Sequence, residues 1–191
     1  MAGSAGLKAF LTEQKVAFKS RKHPVVYTAQ EIAAAQHVSG KKLAKCVLVK
    51  VDNGFCLAVL SAVQRLDFVK LKGLLRAKRL SLASEADIKR LFPDVEVGAM
   101  SPFGNLYNLP TIVEKTLATS EEMVCNAGTH AETLTLRYRD FEKVAKPKVG
   151  AFGILPQGPK PSKPRPAAKK RSGARRPVKR SRVAPRRRRT R

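Results

Sequence analysis

Apolar positions first fall at helical spacing at Leu7, Phe10 and Leu11, so residues 5–18 predict a short amphipathic helix whose pattern weakens toward Val16 and Phe18. The next signal is "YTAQEIAAAQHV", where Thr28 and Glu31 stand three apart and can satisfy each other's free N–H groups, predicting a helix from about Ala29 to Val38. The runs "LAKCVLVKV" and "FCLAVLS" flank "DNG" at 52–54, a turn that tolerates positive φ, and predict a β-hairpin of core strands. Asp67 can cap a helix through "FVKLKGLL", and Ser84 another through "EADIKRLF", which stops before Pro93 because the residue preceding proline avoids αR. A neutral loop, "VGAMSPFG" (97–104), then separates these elements from three apolar or β-branched segments at 109–114, 122–128 and 133–138, and "DFEKVAK" predicts a closing helix. Strands mixed with short helices predict one α/β (α+β-like) domain over residues 1–150.

Beyond it the pattern fails. From Pro156 onward the chain has seven prolines, no aromatic residue and no negative charge, a composition that cannot bury enough apolar surface to offset the entropy of ordering, so residues 151–191 are expected to be a disordered basic tail. The net charge of +25 divides accordingly: residues 155–191 carry sixteen Lys/Arg and no acid, leaving +9 on the first 154 residues. A moderately basic domain suggests a polyanionic ligand, and the tail adds non-specific attraction to phosphate backbones.

Cys46, Cys56 and Cys125 are odd in number and sit in apolar runs, so they read as buried free thiols. His23, His37 and His130 are scattered and no C-x-x-C occurs, a spacing that speaks against a zinc set, and no cofactor is expected. Charges interrupt the N-terminal segment before a signal-peptide core could form, and no apolar run approaches membrane-spanning length, so a cytoplasmic protein without a membrane partner is expected.

Three segments in order, "HPVVYTAQEIAAAQHVSGKKLAKCVLVK" (23–50), "AKRLSLASEADIKRLFPDVEVGAMSPFG" (77–104) and "NAGTHAETLTL" (126–136), resemble the YbaK/ProX family of trans-acting aminoacyl-tRNA deacylases, related to the insertion editing domain of bacterial prolyl-tRNA synthetase. The resemblance covers residues 5–148 and implies a central mixed β-sheet wrapped by helices, with a cleft for the charged 3′ end of tRNA. Lys45 stands at the family's functional lysine, and Gly98 to Pro102 match its Gly-x-x-x-Pro loop. Cys46 replaces a polar residue found in some members, and Ser61 a proline that often ends the second hairpin strand.

Hydrolysis of an aminoacyl ester needs a grip on phosphate and ribose, donors for the developing oxyanion, an oriented water and a selective pocket, but no protein nucleophile. The resemblance implies that the ribose 2′-hydroxyl helps activate the water, positioned by the Gly98 backbone. Gly98 permits close approach, and Pro102 with Gly104 stiffens the turn, so the amides of residues 98–101 are candidate fixed donors, including that of Ser101. Ala99, Met100 and Phe103 are candidate apolar surface beside them. By residue type alone Lys45 reads as a solvated strand lysine; its place at the family's lysine implies instead that it binds a phosphate or polarises the ester carbonyl. His130 could line the amino-acid pocket or be a surface or satisfied core histidine, and Gly128 would shape the adjoining turn. Strand alternation turns Cys46 away from Lys45 and into the core.

The leading expectation is an enzyme that removes a small amino acid such as Ala, Ser or Thr from mischarged tRNA. The alternative is a non-catalytic tRNA- or nucleic-acid-binding module of the same fold; a basic chromosome-associated protein is a third possibility. The tail would bind tRNA, rRNA or DNA without sequence preference, since it has no aromatic residue for base stacking.

Overall fold

Leu7 and Leu11, one turn apart, are the buried stripe of the first helix, α1 (Ser4–Glu13), in a computed structural model that describes residues 3–156. The helix ends sooner than its apolar pattern predicts. Lys15 takes a φ of 54°, and the Lys15 and Val16 amides fold back onto the Thr12 and Leu11 carbonyls at 3.0 and 2.9 Å. This closure places Val16 in the same apolar cluster as Leu11 and frees Phe18 to open a strand, β1 (Phe18–Lys22).

The second helix, α2 (Ala29–Gln36), starts on the predicted reciprocal cap: the Glu31 amide donates to the Thr28 hydroxyl at 3.2 Å and the Thr28 amide to the Glu31 carboxylate at 2.9 Å. It ends two residues early through the same kind of closure, with His37 at φ 52°. The hairpin forms as β2 (Ala44–Val51) and β3 (Gly54–Ser61), with Asp52 at φ 49° in its turn. A short β4 (Arg65–Leu66) leads into α3 (Phe68–Leu74), capped by the Asp67 carboxylate. Next come β5 (Leu80–Leu82) and α4 (Glu85–Leu91), the latter capped by Ser84 and closed ahead of Pro93. After the 97–104 loop the chain forms β6 (Thr111–Glu114), α5 (Lys115–Ala118), β7 (Glu122–Asn126), β8 (Glu132–Arg137), α6 (Tyr138–Ala145), β9 (Lys148–Gly150) and β10 (Gly153–Ile154).

The central sheet has the order β5-β2-β3-β6-β9, with β2 antiparallel to β5 and β3, and β6 parallel to both β3 and β9. It is the mixed sheet expected. A second, antiparallel sheet of order β1-β8-β7 meets it through a parallel bridge between Leu43 and Val124. The main core fills the space bounded by both sheets and includes Leu48, Val59, Met100, Phe103, Leu134 and Phe141. A smaller core on the other face of the central sheet holds Val49, Leu60, Leu71 and Phe152. Phe152 is fully buried, and its amide and that of Gly153 donate to the buried Glu114 carboxylate at 2.6 and 2.5 Å. Pairing and burial therefore continue past residue 150, while the tail from residue 157 lies outside the described residues. Among the described residues, no helix is long and apolar enough to cross a membrane.

Candidate active site

The Gly-x-x-x-Pro loop begins with a tight turn in which the Ala99 amide donates to the Glu96 carbonyl at 2.9 Å. Its third residue, Gly98, has φ 92°, the positive value that a type II turn requires at that position and that side-chain-bearing residues avoid. The turn is then tied to the 126–132 connection in both directions. The Glu96 amide donates to the Gly128 carbonyl at 3.0 Å, and the Gly128 amide to the Ala99 carbonyl at 3.1 Å. Gly128, at φ 98°, bends the chain so that His130 comes back over the turn.

His130 is held from several sides. Its amide donates to the Glu96 carboxylate at 2.7 Å and its Nε2 lies 2.9 Å from the Val97 carbonyl. A carbonyl only accepts, so in the neutral ring Nε2 carries the proton and Nδ1 is an acceptor. Nδ1 is buried and has no partner among the described residues. The ring lies 3.4 Å from where a Cβ on Gly98 would stand, and Tyr27 packs on it with ring centroids 4.9 Å apart.

The loop divides its residues between two roles. Ala99, Met100, Ser101 and Phe103 are at most 4% exposed; Phe103 stands edge-on to Phe10 and Phe141, and Pro102 and Gly104 are buried with them. These residues anchor the loop in the main core. Gly98 stays exposed. The amides of Gly98, Met100 and Ser101 donate to no atom of the described residues.

Lys45 comes from a different element. Ala44 and Cys46 face the main core, so strand alternation turns Lys45 to the other face of the central sheet. There its ammonium meets the Gln64 carbonyl, with the Ala62 carbonyl at 3.5 Å. Burial lowers its pKa and the nearby Arg65 charge lowers it further. No hydrogen bond or ion pair links Lys45 to the Gly98–His130 corner. Of the candidates, then, Gly98, Ala99, Gly128 and His130 are brought together, Met100 to Gly104 support them from below, and Lys45 stands apart.

Cys56 and Cys125 are buried as expected, whereas Cys46 is half-buried, packed against the main core from β2. Burial, then the neighbouring Cys125, pushes the Cys46 thiol well up; burial raises Cys56 to about 11 and Cys125 to about 12. Protonated thiols are poor nucleophiles.

Two residues of the corner were not singled out by sequence reasoning. Glu96 uses its amide, carbonyl and carboxylate to join the turn to Gly128 and His130. Tyr27 precedes the cap of α2, where an apolar residue usually packs back onto its helix, yet it is 73% exposed and leans on His130 instead. Its position beside the cap was the one available signal.

The family model for the aminoacyl-tRNA editing domain matches residues 23–144, a span that holds the whole corner and Lys45. The chain is 27% identical over 151 residues to the multifunctional Ser/Thr-tRNA deacylase ProXp-y of Escherichia coli (strain K12), covering 76% of this chain and 90% of the relative. It is also 27% identical over 101 residues to the proline–tRNA ligase of Geobacillus sp. (strain WCH70), 53% of this chain but only 18% of the ligase. In fold it is similar to a crystal structure of a proposed trans-editing enzyme for prolyl tRNA synthetase, with a TM-score of 0.72 at 20% identity over 79% of this chain and 96% of the other.

Proposed function

The chain belongs to the aminoacyl-tRNA editing domain family, and from that premise we propose that it is a hydrolase that cleaves, in trans, the ester of tRNA mischarged with a small amino acid, serine or threonine first among them. The observation that carries this reading is the Gly98–His130 corner. The exposed backbone of Gly98, the amides of Gly98, Met100 and Ser101 and the buried His130 Nδ1 lie on one turn and the connection tied to it, and among the described residues those three amides have no acceptor and that nitrogen has no donor. Such a set suits a ligand that brings both acceptors and donors, as an aminoacylated ribose does.

In this reading the terminal ribose lies against Gly98, where any side chain would stand between it and the backbone. The 2′-hydroxyl, held there, orients a water toward the acyl carbon. Water adds, the free amides stabilise the oxyanion, and the bond to the ribose oxygen breaks with that oxygen taking the proton. Amides fixed by the loop's buried anchor lose little energy to reorganisation as charge develops. His130 Nδ1 accepts from the substrate's ammonium or side-chain hydroxyl. Lys45 acts through charge, drawing a phosphate of the same strand toward the sheet. The basic tail raises the local concentration of tRNA, and a cytoplasmic location would match that substrate.

The test is release of amino acid from tRNAs charged with Ala, Ser, Thr or Cys, with the full chain, Lys45→Ala and His130→Ala. Hydrolysis of one or more charged tRNAs by the parent, weakened in Lys45→Ala and in His130→Ala, supports the reading. Binding of tRNA with no hydrolysis above the spontaneous rate would replace it with a non-catalytic binding module.

A further inference from the structure

A depression of about 550 Å³ lies on the outer face of the β1-β8-β7 sheet, and none of its lining residues belongs to the Gly98–His130 corner. Its floor is Val124 and Thr135. Along β1 the residues alternate: Ser20 turns inward to the Glu132 carboxylate, so Lys19 and Arg21 turn outward into the groove. Lys42 faces them from the chain that links α2 to β2, its carbonyl fixed by the Val124 amide at 3.0 Å. Arg21 is held in place by donating to the Gln36 carbonyl at 3.1 Å. Three cations therefore face a single carboxylate, that of Glu122, in one concavity.

Gln36 supplies the independent indication of a ligand. It is 3% exposed and lines this groove, yet its buried Nε2 donates to no acceptor among the described residues. A buried donor left unpaired is costly. An unpaired donor among cations calls for a group that only accepts and carries negative charge.

Geometry narrows that group. α2 runs from Thr28, beside Tyr27 and His130, to Gln36 in the groove; its eight residues span about 12 Å at 1.5 Å each. The groove and the corner thus stand at opposite ends of one helix, so a strand whose terminal ribose is seated at Gly98 would meet the groove with a phosphate upstream of that ribose and not with the ribose itself. Resting on the deacylase reading above, we infer that Lys19, Arg21, Lys42 and Gln36 form a second tRNA contact that grips a phosphodiester of the acceptor strand upstream of the esterified ribose.

The experiment compares the full chain with Lys19→Gln/Lys42→Gln and, separately, Gln36→Glu, on a charged tRNA that the parent hydrolyses and on an uncharged acceptor-stem RNA hairpin. The double variant is expected to raise KM and the hairpin Kd on the order of tenfold with kcat unchanged, and to flatten the slope of log kcat/KM against log salt by about 0.7 per lost phosphate contact. Gln36→Glu, which sets a carboxylate in the same place, should raise both constants as well. Unchanged KM, Kd and salt slope in both variants would overturn the inference, as would a loss confined to kcat. If the parent hydrolyses no charged tRNA, the deacylase reading fails by itself and the hairpin Kd alone decides the groove.

Discussion

At Gly98 two requirements coincide. The φ of 92° excludes most side chains, and a Cβ there would touch the His130 ring at 3.4 Å, so Gly98→Ala strains the turn and also covers the backbone that the substrate would approach. We expect it to lower kcat/KM by at least about a hundredfold, the scale set by loss of a fixed oxyanion contact, while stability falls by only about 1–3 kcal/mol for the strained backbone. Single-turnover hydrolysis alongside urea unfolding separates the two; a variant that loses stability but keeps its rate would remove Gly98 from the site. Lys45 illustrates the limit of reading single residues. Its place on a strand was legible from the apolar runs around it. Its meeting with the Gln64 and Ala62 carbonyls depends on where β3 ends, which no local pattern encodes. His130 likewise could be singled out as a histidine near a glycine turn, but its unpaired Nδ1 results from a contact with Val97, 33 positions away.

Elements were legible where a local signal decides them. The reciprocal cap at Thr28, the caps at Asp67 and Ser84 and the 52–54 hairpin turn formed as the side chains dictate, with Asp87 making the Ser84 cap reciprocal as well, because each is settled within four residues. Strands β1, β4, β5, β9 and β10 were not foreseen; none exceeds five residues, and each exists because a distant partner offers an edge. The tie between α1, β1 and β8 is of the same non-local kind. Glu132 accepts from the Ser4 hydroxyl, the Ser20 hydroxyl and the Lys8 ammonium, the last at 2.9 Å. Burial alone would raise its pKa, but those three partners outweigh it and hold the carboxyl at about 2 against an ordinary 4.5. A carboxyl depressed on folding stabilises the protein fully above the unfolded value and loses that contribution as pH falls through the folded one. Glu132→Gln should therefore lower Tm at neutral pH, with the gap to the parent closing between pH 4.5 and about 2. A Tm gap that stays constant across that window would mean that the carboxylate charge contributes nothing to the tie.

The whole chain joins a domain of the aminoacyl-tRNA editing family to a C-terminal sequence with sixteen Lys/Arg and no acid, and in the proposed function the domain takes one end of a tRNA while the basic sequence attracts any phosphate backbone. These contributions differ in kind and so can be separated. The Gly98–His130 corner, as the proposed ester-cleaving site, would act at short range through amides and one histidine, and salt screens such buried or partly buried contacts little. The tail would act by releasing counterions, a term that falls steeply with salt and carries no sequence information. Removing residues 157–191 should leave kcat and the ranking of charged tRNAs unchanged, since Phe152 and the β4–β10 pairing that close the fold precede the cut. It should raise KM at low salt and flatten its salt dependence by more than the two-lysine change in the β1 groove, because more cations are lost. Steady-state hydrolysis at several salt concentrations, with the full chain and with residues 1–156, measures both effects. If truncation changed kcat or the preferred amino acid, the tail would have to reach the Gly98–His130 corner itself, and the selectivity assigned to the domain would belong to the two parts together.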